Sequence, residues 1–164
     1  MRYWSVAGGL LSDERGLLLV ANQRPGGIVD WTTPGGVVDD GETSIAALER
    51  EVTEETGMVV DSWSSLCWTV EVDFIDLEMH LDVEVHSAAS FSGEISLDDP
   101  DRIVTAAEFV PPKTAVKLLA GSPMWVSEPL SSWITEPWPG ECRHFAYTAH
   151  GISPAGMRAE RVSP

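Results

Sequence analysis

The chain has 164 residues, 43% of them hydrophobic, and a formal net charge of −16. That length suits a single domain with one sizeable core, and the negative charge repels phosphate backbones, which argues against a polymeric nucleic-acid partner. No apolar run approaches the ~18 residues of a membrane span and the N-terminus lacks a charged-then-apolar leader, so a cytoplasmic protein without a membrane partner is expected. Cys67 and Cys142 are far apart and lack zinc-type companion spacing, which makes free thiols the expectation for both.

In chain order, the apolar stretch from Tyr3 to Leu11, the polar Ser12-Asp13-Glu14-Arg15-Gly16 and the apolar run Leu17 to Ala21 predict two strands joined by a turn. The second run is continuously apolar, which predicts burial on both faces. Arg24, Pro25-Gly26-Gly27, Asp30-Trp31 and Thr32-Thr33-Pro34-Gly35-Gly36 follow, too rich in glycine and proline for a helix.

A helix is predicted next, ending at Gly57 as its C′ residue, with Ile45, Leu48 and Val52 forming an apolar stripe. Asp39, Asp40 and Glu42 place negative charge near its start, where the helix dipole favours it. Glu51, Glu54 and Glu55, at i, i+3 and i+4, share about a third of the circumference beside that stripe. Such a cluster needs solvent, protons, a cationic partner or a divalent metal, and oxygen-only ligands point to Mg²⁺ or Mn²⁺. The blander reading is a solvated acidic helix.

The full spacing decides between them. The segment reads Gly36, five residues, Glu42, seven residues, Arg50-Glu51-Val52, one residue, Glu54-Glu55, one residue, Gly57-Met58. This pattern resembles the Nudix box of the Nudix hydrolase superfamily at every defined position. The resemblance implies an α/β fold, a Nudix-type α/β/α sandwich with a mixed central sheet. It also implies Mg²⁺-dependent hydrolysis, with Mn²⁺ as substitute, of a nucleoside diphosphate linked to another moiety. By the resemblance, Glu51, Glu54 and Glu55 bind metal together with a backbone carbonyl of the Gly35-Gly36 turn. Arg50 orients a glutamate, Glu42 belongs to the support around the substrate site, Arg24 meets phosphate, and Trp31 is the usual aromatic before the turn. From the residues alone, Arg24 reads equally well as a solvent-facing strand-end arginine, and Trp31 more readily as core. The base that takes a proton from water is assigned to Glu54, with a later-loop acid, Asp98, Asp99 or Asp101, as the alternative.

Beyond the box, Leu66 to Phe74 and Leu77 to Val85 alternate with period two and predict an antiparallel hairpin turning near Ile75-Asp76. One face is apolar; the other carries His80 and His86, expected to face solvent, and Glu71, Asp73, Glu78, Asp82 and Glu84, expected to form a solvated acidic face, with lining of the substrate mouth as the alternative for some of them. A loop is expected over Ser87 to Pro100, a strand over Ile103 to Val110 and a helix over Lys113 to Ala120, with Glu108-Phe109-Val110-Pro111 extending the family resemblance. Val126, Leu130, Trp133 and Ile134 predict a further helix with Ser127 as its N-cap, stopped by Pro137 and Pro139. His144 to Tyr147 predicts a last strand. Residues 1–150 are therefore expected to form a single domain and 151–164 a loose tail. The partner expected is a small nucleotide or nucleotide sugar, and seven tryptophans leave a homodimer open. The alternative function is a non-hydrolytic nucleotide-binding sensor on the same fold.

Overall fold

A computed structural model describes residues 1–162. The first two apolar runs form strands β1 (Arg2–Leu10) and β3 (Gly16–Gln23), separated by the short β2 (Ser12–Asp13). In β3 the side chains of Leu17 and Leu19 enter one apolar cluster and those of Leu18 and Val20 another, so the strand is buried on both faces. The glycine-rich stretch contains two strands that its composition hides, β4 (Val29–Thr32) and β5 (Gly35–Val37). They are three or four residues long, below the length at which alternation becomes readable.

Helix α1 (Ser44–Thr56) is capped at both ends. The Thr43 hydroxyl accepts from the Ala46 N–H, and Gly57, at φ 79°, donates its N–H to the Thr53 carbonyl. Leu48 and Val52 are fully buried, whereas Ile45 is only half covered. The first turn, Ser44-Ile45-Ala46-Ala47, holds no acid, and of the acids before it Asp39 and Glu42 pair with Arg50.

The hairpin is longer than its alternation suggested, comprising β6 (Val59–Phe74), a 3-10 turn over Ile75–Leu77 and β7 (Met79–Ser92). Ser87 to Ser92, expected to be loop, is strand because it pairs with the start of β6. There the Ser62 and Ser90 hydroxyls bond at 2.9 Å and the Ser64 hydroxyl donates to the Ser87 carbonyl. Register shifts between Val60 and Trp68 break the period there, which is why the sequence did not reveal it. His80 and His86 are also more covered than expected, with side chains 16% and 14% exposed, each beside carboxylates.

The remaining elements are β8 (Val104–Val110), α2 (Pro112–Leu119), α3 (Met124–Thr135), β9 (Arg143–His150) and β10 (Arg158–Arg161). Pro123, not Ser127, precedes the first turn of α3; Ser127 lies inside the helix and donates its N–H to the Pro123 carbonyl. The stretch after Gly151 is not a loose tail over its described part, since β10 pairs antiparallel with β9 from Arg158↔His150 to Arg161↔Tyr147. Ser163 and Pro164 lie outside the described residues.

One sheet runs in the order β10-β9-β6-β7-β1-β5, with parallel pairing at β1/β7 and β6/β9 and antiparallel pairing elsewhere. The other joins β2, β4 and β8 to β3, all antiparallel. Helix α1 closes the cluster of Ala7, Leu18, Val20, Leu48 and Val52. Helices α2 and α3 close the larger cluster of Leu19, Val70, Val72, Leu119, Leu130 and Phe145. The result is an α/β protein with a mixed central sheet between helical layers. No helix among the described residues is long and apolar enough to cross a membrane.

Candidate active site

The site begins where β5 meets α1. At Gly36 an added Cβ would lie 2.5 Å from Cδ and 2.6 Å from Oε1 of Glu51. Glycine is what lets that carboxylate pack over the strand. At Gly35 a Cβ would fall 2.0 Å from the Ala7 carbonyl oxygen, so close pairing with β1 also requires glycine. The Gly35 N–H in turn donates to Glu55 Oε1 at 3.1 Å.

Arg50 organises the acids around it. Its Nη1 is 2.9 Å from Glu51 Oε1 and 3.6 Å from Glu54 Oε2; its Nε and Nη2 form a fork with Glu42 at 3.1 and 2.9 Å. Asp39 and the Val37 carbonyl complete the shell. Glu42 also accepts from the Asp39 N–H; it is not among the residues that line the cavity, and its carboxylate supports Arg50. The Arg50 guanidinium holds the Glu42 carboxyl below its usual range.

Glu51, Glu54 and Glu55 face one cavity of about 720 Å³ with Asp99 and Asp101 from the loop before β8. Asp99 has two functions, since its carboxylate also accepts from the N–H groups of Asp101, Ile103 and Val104 and so builds the turn. Asp98 does not reach the cavity. Loss of solvent pushes the Glu55 carboxyl up to about 8, with Glu51 and Asp99 adding to the shift against the Gly35 N–H and Arg24. Burial raises Glu51 as well, opposed by Arg50 and reinforced by Glu54 and Asp101.

This cluster fits a hard divalent cation. Its donors are all oxygen, and two members are held above their normal carboxylate range by burial and mutual repulsion, which bound positive charge would relieve. A pH dependence follows. A carboxyl raised from an ordinary 4.5 to about 8 contributes stability that is fully present at low pH and is lost as pH rises across that window. The metal-free protein is therefore expected to melt lower at about pH 8 than at about pH 5, with a shallower decline in Glu55→Gln. Added Mg²⁺ is expected to raise the melting temperature more at the higher pH, because only the carboxylate binds it. Calorimetry at both pH values checks both expectations.

Arg24 lines the cavity, but Asp30 holds it: Nε and Nη2 lie 3.0 and 3.3 Å from the two Asp30 oxygens. Asp30, buried, is tied further to Asn22, whose Nδ2 also donates to Thr32 Oγ1 at 2.9 Å. Asn22 and Thr32 both line the cavity and were missed in the sequence; a polar residue directly after the run Leu17 to Ala21 was the available signal. Trp31 does not line the cavity. Thr32 takes that face of β4, and alternation sends Trp31 against the cluster under α2. The aromatic walls are instead Trp68 and Trp125, the latter edge-on to Phe74 at 5.1 Å.

The comparisons with known proteins agree with this geometry. The NUDIX domain family matches residues 2–130. Nucleoside diphosphate-linked moiety X motif 6 of Xenopus laevis is 43% identical over 53 residues, 32% of this chain and 24% of that protein. Oxidized purine nucleoside triphosphate hydrolase of Danio rerio is 33% identical over 86 residues, 52% of this chain and 54% of that protein. The chain thus spans about half or less of the length of these curated relatives. Among solved structures, the MutT NUDIX hydrolase of Burkholderia pseudomallei is 26% identical, with TM-score 0.60 over 69% of this chain and 86% of that one. The ORF135 protein of E. coli, 17% identical, shares the fold with TM-score 0.68 over 86% of this chain and 96% of that one. With its box folded around Arg50 and the family match spanning most of its length, the chain belongs to the Nudix hydrolase family.

Proposed function

We propose that this protein hydrolyses a phosphoanhydride bond of a nucleoside triphosphate by attack of water at phosphorus. The observation that carries this reading is that one cavity joins a charged lining to an apolar, aromatic one. Six carboxylates, those of Asp39, Glu51, Glu54, Glu55, Asp99 and Asp101, line it with Arg50 and Arg24, and so do the apolar Trp68, Val70, Leu81, Val83, Trp125 and Leu130 and the polar Asn22 and Thr32. The charged groups suit metal-bound phosphates, and apolar walls with a few polar groups suit a base. The sequence likeness to an oxidized purine nucleoside triphosphate hydrolase supports a triphosphate over a nucleotide sugar.

Glu51, Glu54 and Glu55 would hold Mg²⁺, with the Gly35 carbonyl as backbone ligand and Mn²⁺ as substitute. When bound, the metal neutralises charge on the phosphate oxygens and acidifies water. Arg50 keeps Glu51 in place. Glu54, whose nearest charged partner is Arg50 at 3.6 Å, is free to take the proton from the attacking water. Arg24 keeps N–H groups beyond the two that Asp30 engages and can offer them to phosphate.

A panel of undamaged and oxidised nucleoside triphosphates, ADP-ribose, a diadenosine polyphosphate and a nucleotide sugar, assayed with Mg²⁺ for phosphate or pyrophosphate release, tests the substrate class. Turnover led by a triphosphate is expected. Preference for ADP-ribose would overturn the triphosphate assignment but not the hydrolase; tight binding without turnover would favour a nucleotide sensor.

A further inference from the structure

A second group of titratable side chains lies away from the cavity. Val70, Leu81 and Val83 line the cavity, so their neighbours Glu71, His80 and Asp82 point from the opposite face of the sheet. Among the described residues, Glu71, His80 and Asp82 bring three potential ligand atoms within 4.8 Å of one another. His80 Nε2 is 3.2 Å from Asp82 Oδ1 and 3.8 Å from Glu71 Oε1. For a tetrahedral ion with bonds near 2.0–2.1 Å, ligand atoms stand ~3.3 Å apart, so these spacings need little adjustment.

The surroundings fix the orientation of these groups. Cross-strand pairing sets Asp73 opposite His80 and Glu71 opposite Asp82. His80 Nδ1 lies 2.6 Å from Asp73 Oδ1, the carboxylate–imidazole arrangement that prepares the other nitrogen for metal. Glu71 is held through its second oxygen, 2.8 Å from His144 Nε2, while His144 Nδ1 is 2.7 Å from Thr69 Oγ1. Both ring nitrogens of His80 face carboxylates, Nδ1 that of Asp73 and Nε2 those of Asp82 and Glu71, and the bonds to Asp73 and Asp82 raise the imidazole above its ordinary range; without its proton, Nε2 turns a lone pair toward two carboxylates. That contact is repulsive unless a cation lies between, either a proton or a metal ion.

We propose that His80, Asp82 and Glu71 form a binding site for a transition-metal ion of the zinc class, with Asp73 and His144 as positioning residues and a fourth position open to solvent. The imidazole distinguishes this site from the oxygen-only cluster of the box. Hard Mg²⁺ prefers the box, whereas Zn²⁺ or Co²⁺ prefers a site with imidazole nitrogen. The site stands independently of the proposed hydrolysis.

The test is a titration of the full chain with Co²⁺, read by its visible absorption, in the presence of excess Mg²⁺ to fill the box, followed by displacement with Zn²⁺. One saturable Co²⁺ per chain is expected. His80→Ala and Asp82→Asn should weaken it by about 100-fold or more and Asp73→Asn by about tenfold, while Glu51→Gln leaves it unchanged. Circular dichroism confirms that the variants are folded. Co²⁺ binding that survives His80→Ala, or that disappears in Glu51→Gln, would overturn the proposal. So would the absence of saturable binding, which would leave a proton as the only cation between His80 and its carboxylates.

Discussion

Glu54→Gln is expected to lower kcat by about 10²–10⁴-fold while the protein stays folded. The three box glutamates are held differently. Glu51 is fixed by Arg50 at 2.9 Å and Glu55 by the Gly35 N–H at 3.1 Å, whereas Glu54 has Arg50 only at 3.6 Å and is a third exposed. It is therefore the one of the three with both oxygens free to receive metal or water. Glutamine keeps the volume and removes one charge from an acidic cavity, so stability should be unchanged or slightly higher. Asp101→Asn is the matched control, because Asp101 lines the same cavity from the later loop. Less than about tenfold loss there is expected, and the reverse order of the two variants would move the base to Asp101.

Gly36→Ala is expected to lower kcat by about 10²-fold with little change in melting temperature. The added methyl would meet the Glu51 carboxylate at 2.5 and 2.6 Å, and that side chain can move aside. The fold then survives, but a carboxylate oxygen proposed to hold the metal is displaced by about 1 Å. Gly35→Ala provides the contrast, because its methyl would lie 2.0 Å from a backbone carbonyl that cannot move without breaking β1/β5 pairing. A stability loss of about 2 kcal/mol is expected, measured by denaturant unfolding. If both variants lost stability equally, the distinction between a positioning glycine and a structural one would fail.

Features written in short, regular spacings could be read from the sequence. The i, i+3, i+4 carboxylates of α1, its αL cap at Gly57, the doubly buried β3 and the alternating heart of the hairpin all follow from local periodicity. What the sequence did not reveal depends on pairing across the fold. The extension of β7 through Ser92 has small polar residues and shifted register, and its strand character comes from β6. The arrival of Asp99 and Asp101, but not Asp98, at the box is set by a loop about 50 residues downstream of it, and the exclusion of Trp31 by the direction of one four-residue strand. Glu42 similarly reads as near the substrate, yet the fork it forms with Arg50 turns it away from the cavity.

Hydrolysis in ¹⁸O-labelled water shows whether the box cavity promotes attack of water on phosphorus. With a nucleoside triphosphate and Mg²⁺, one labelled oxygen is expected on a phosphorus-containing product in each turnover, lost on chelation and reduced in step with kcat in Glu54→Gln. Turnover that persists at full rate after chelation, or in Glu54→Gln, would contradict it.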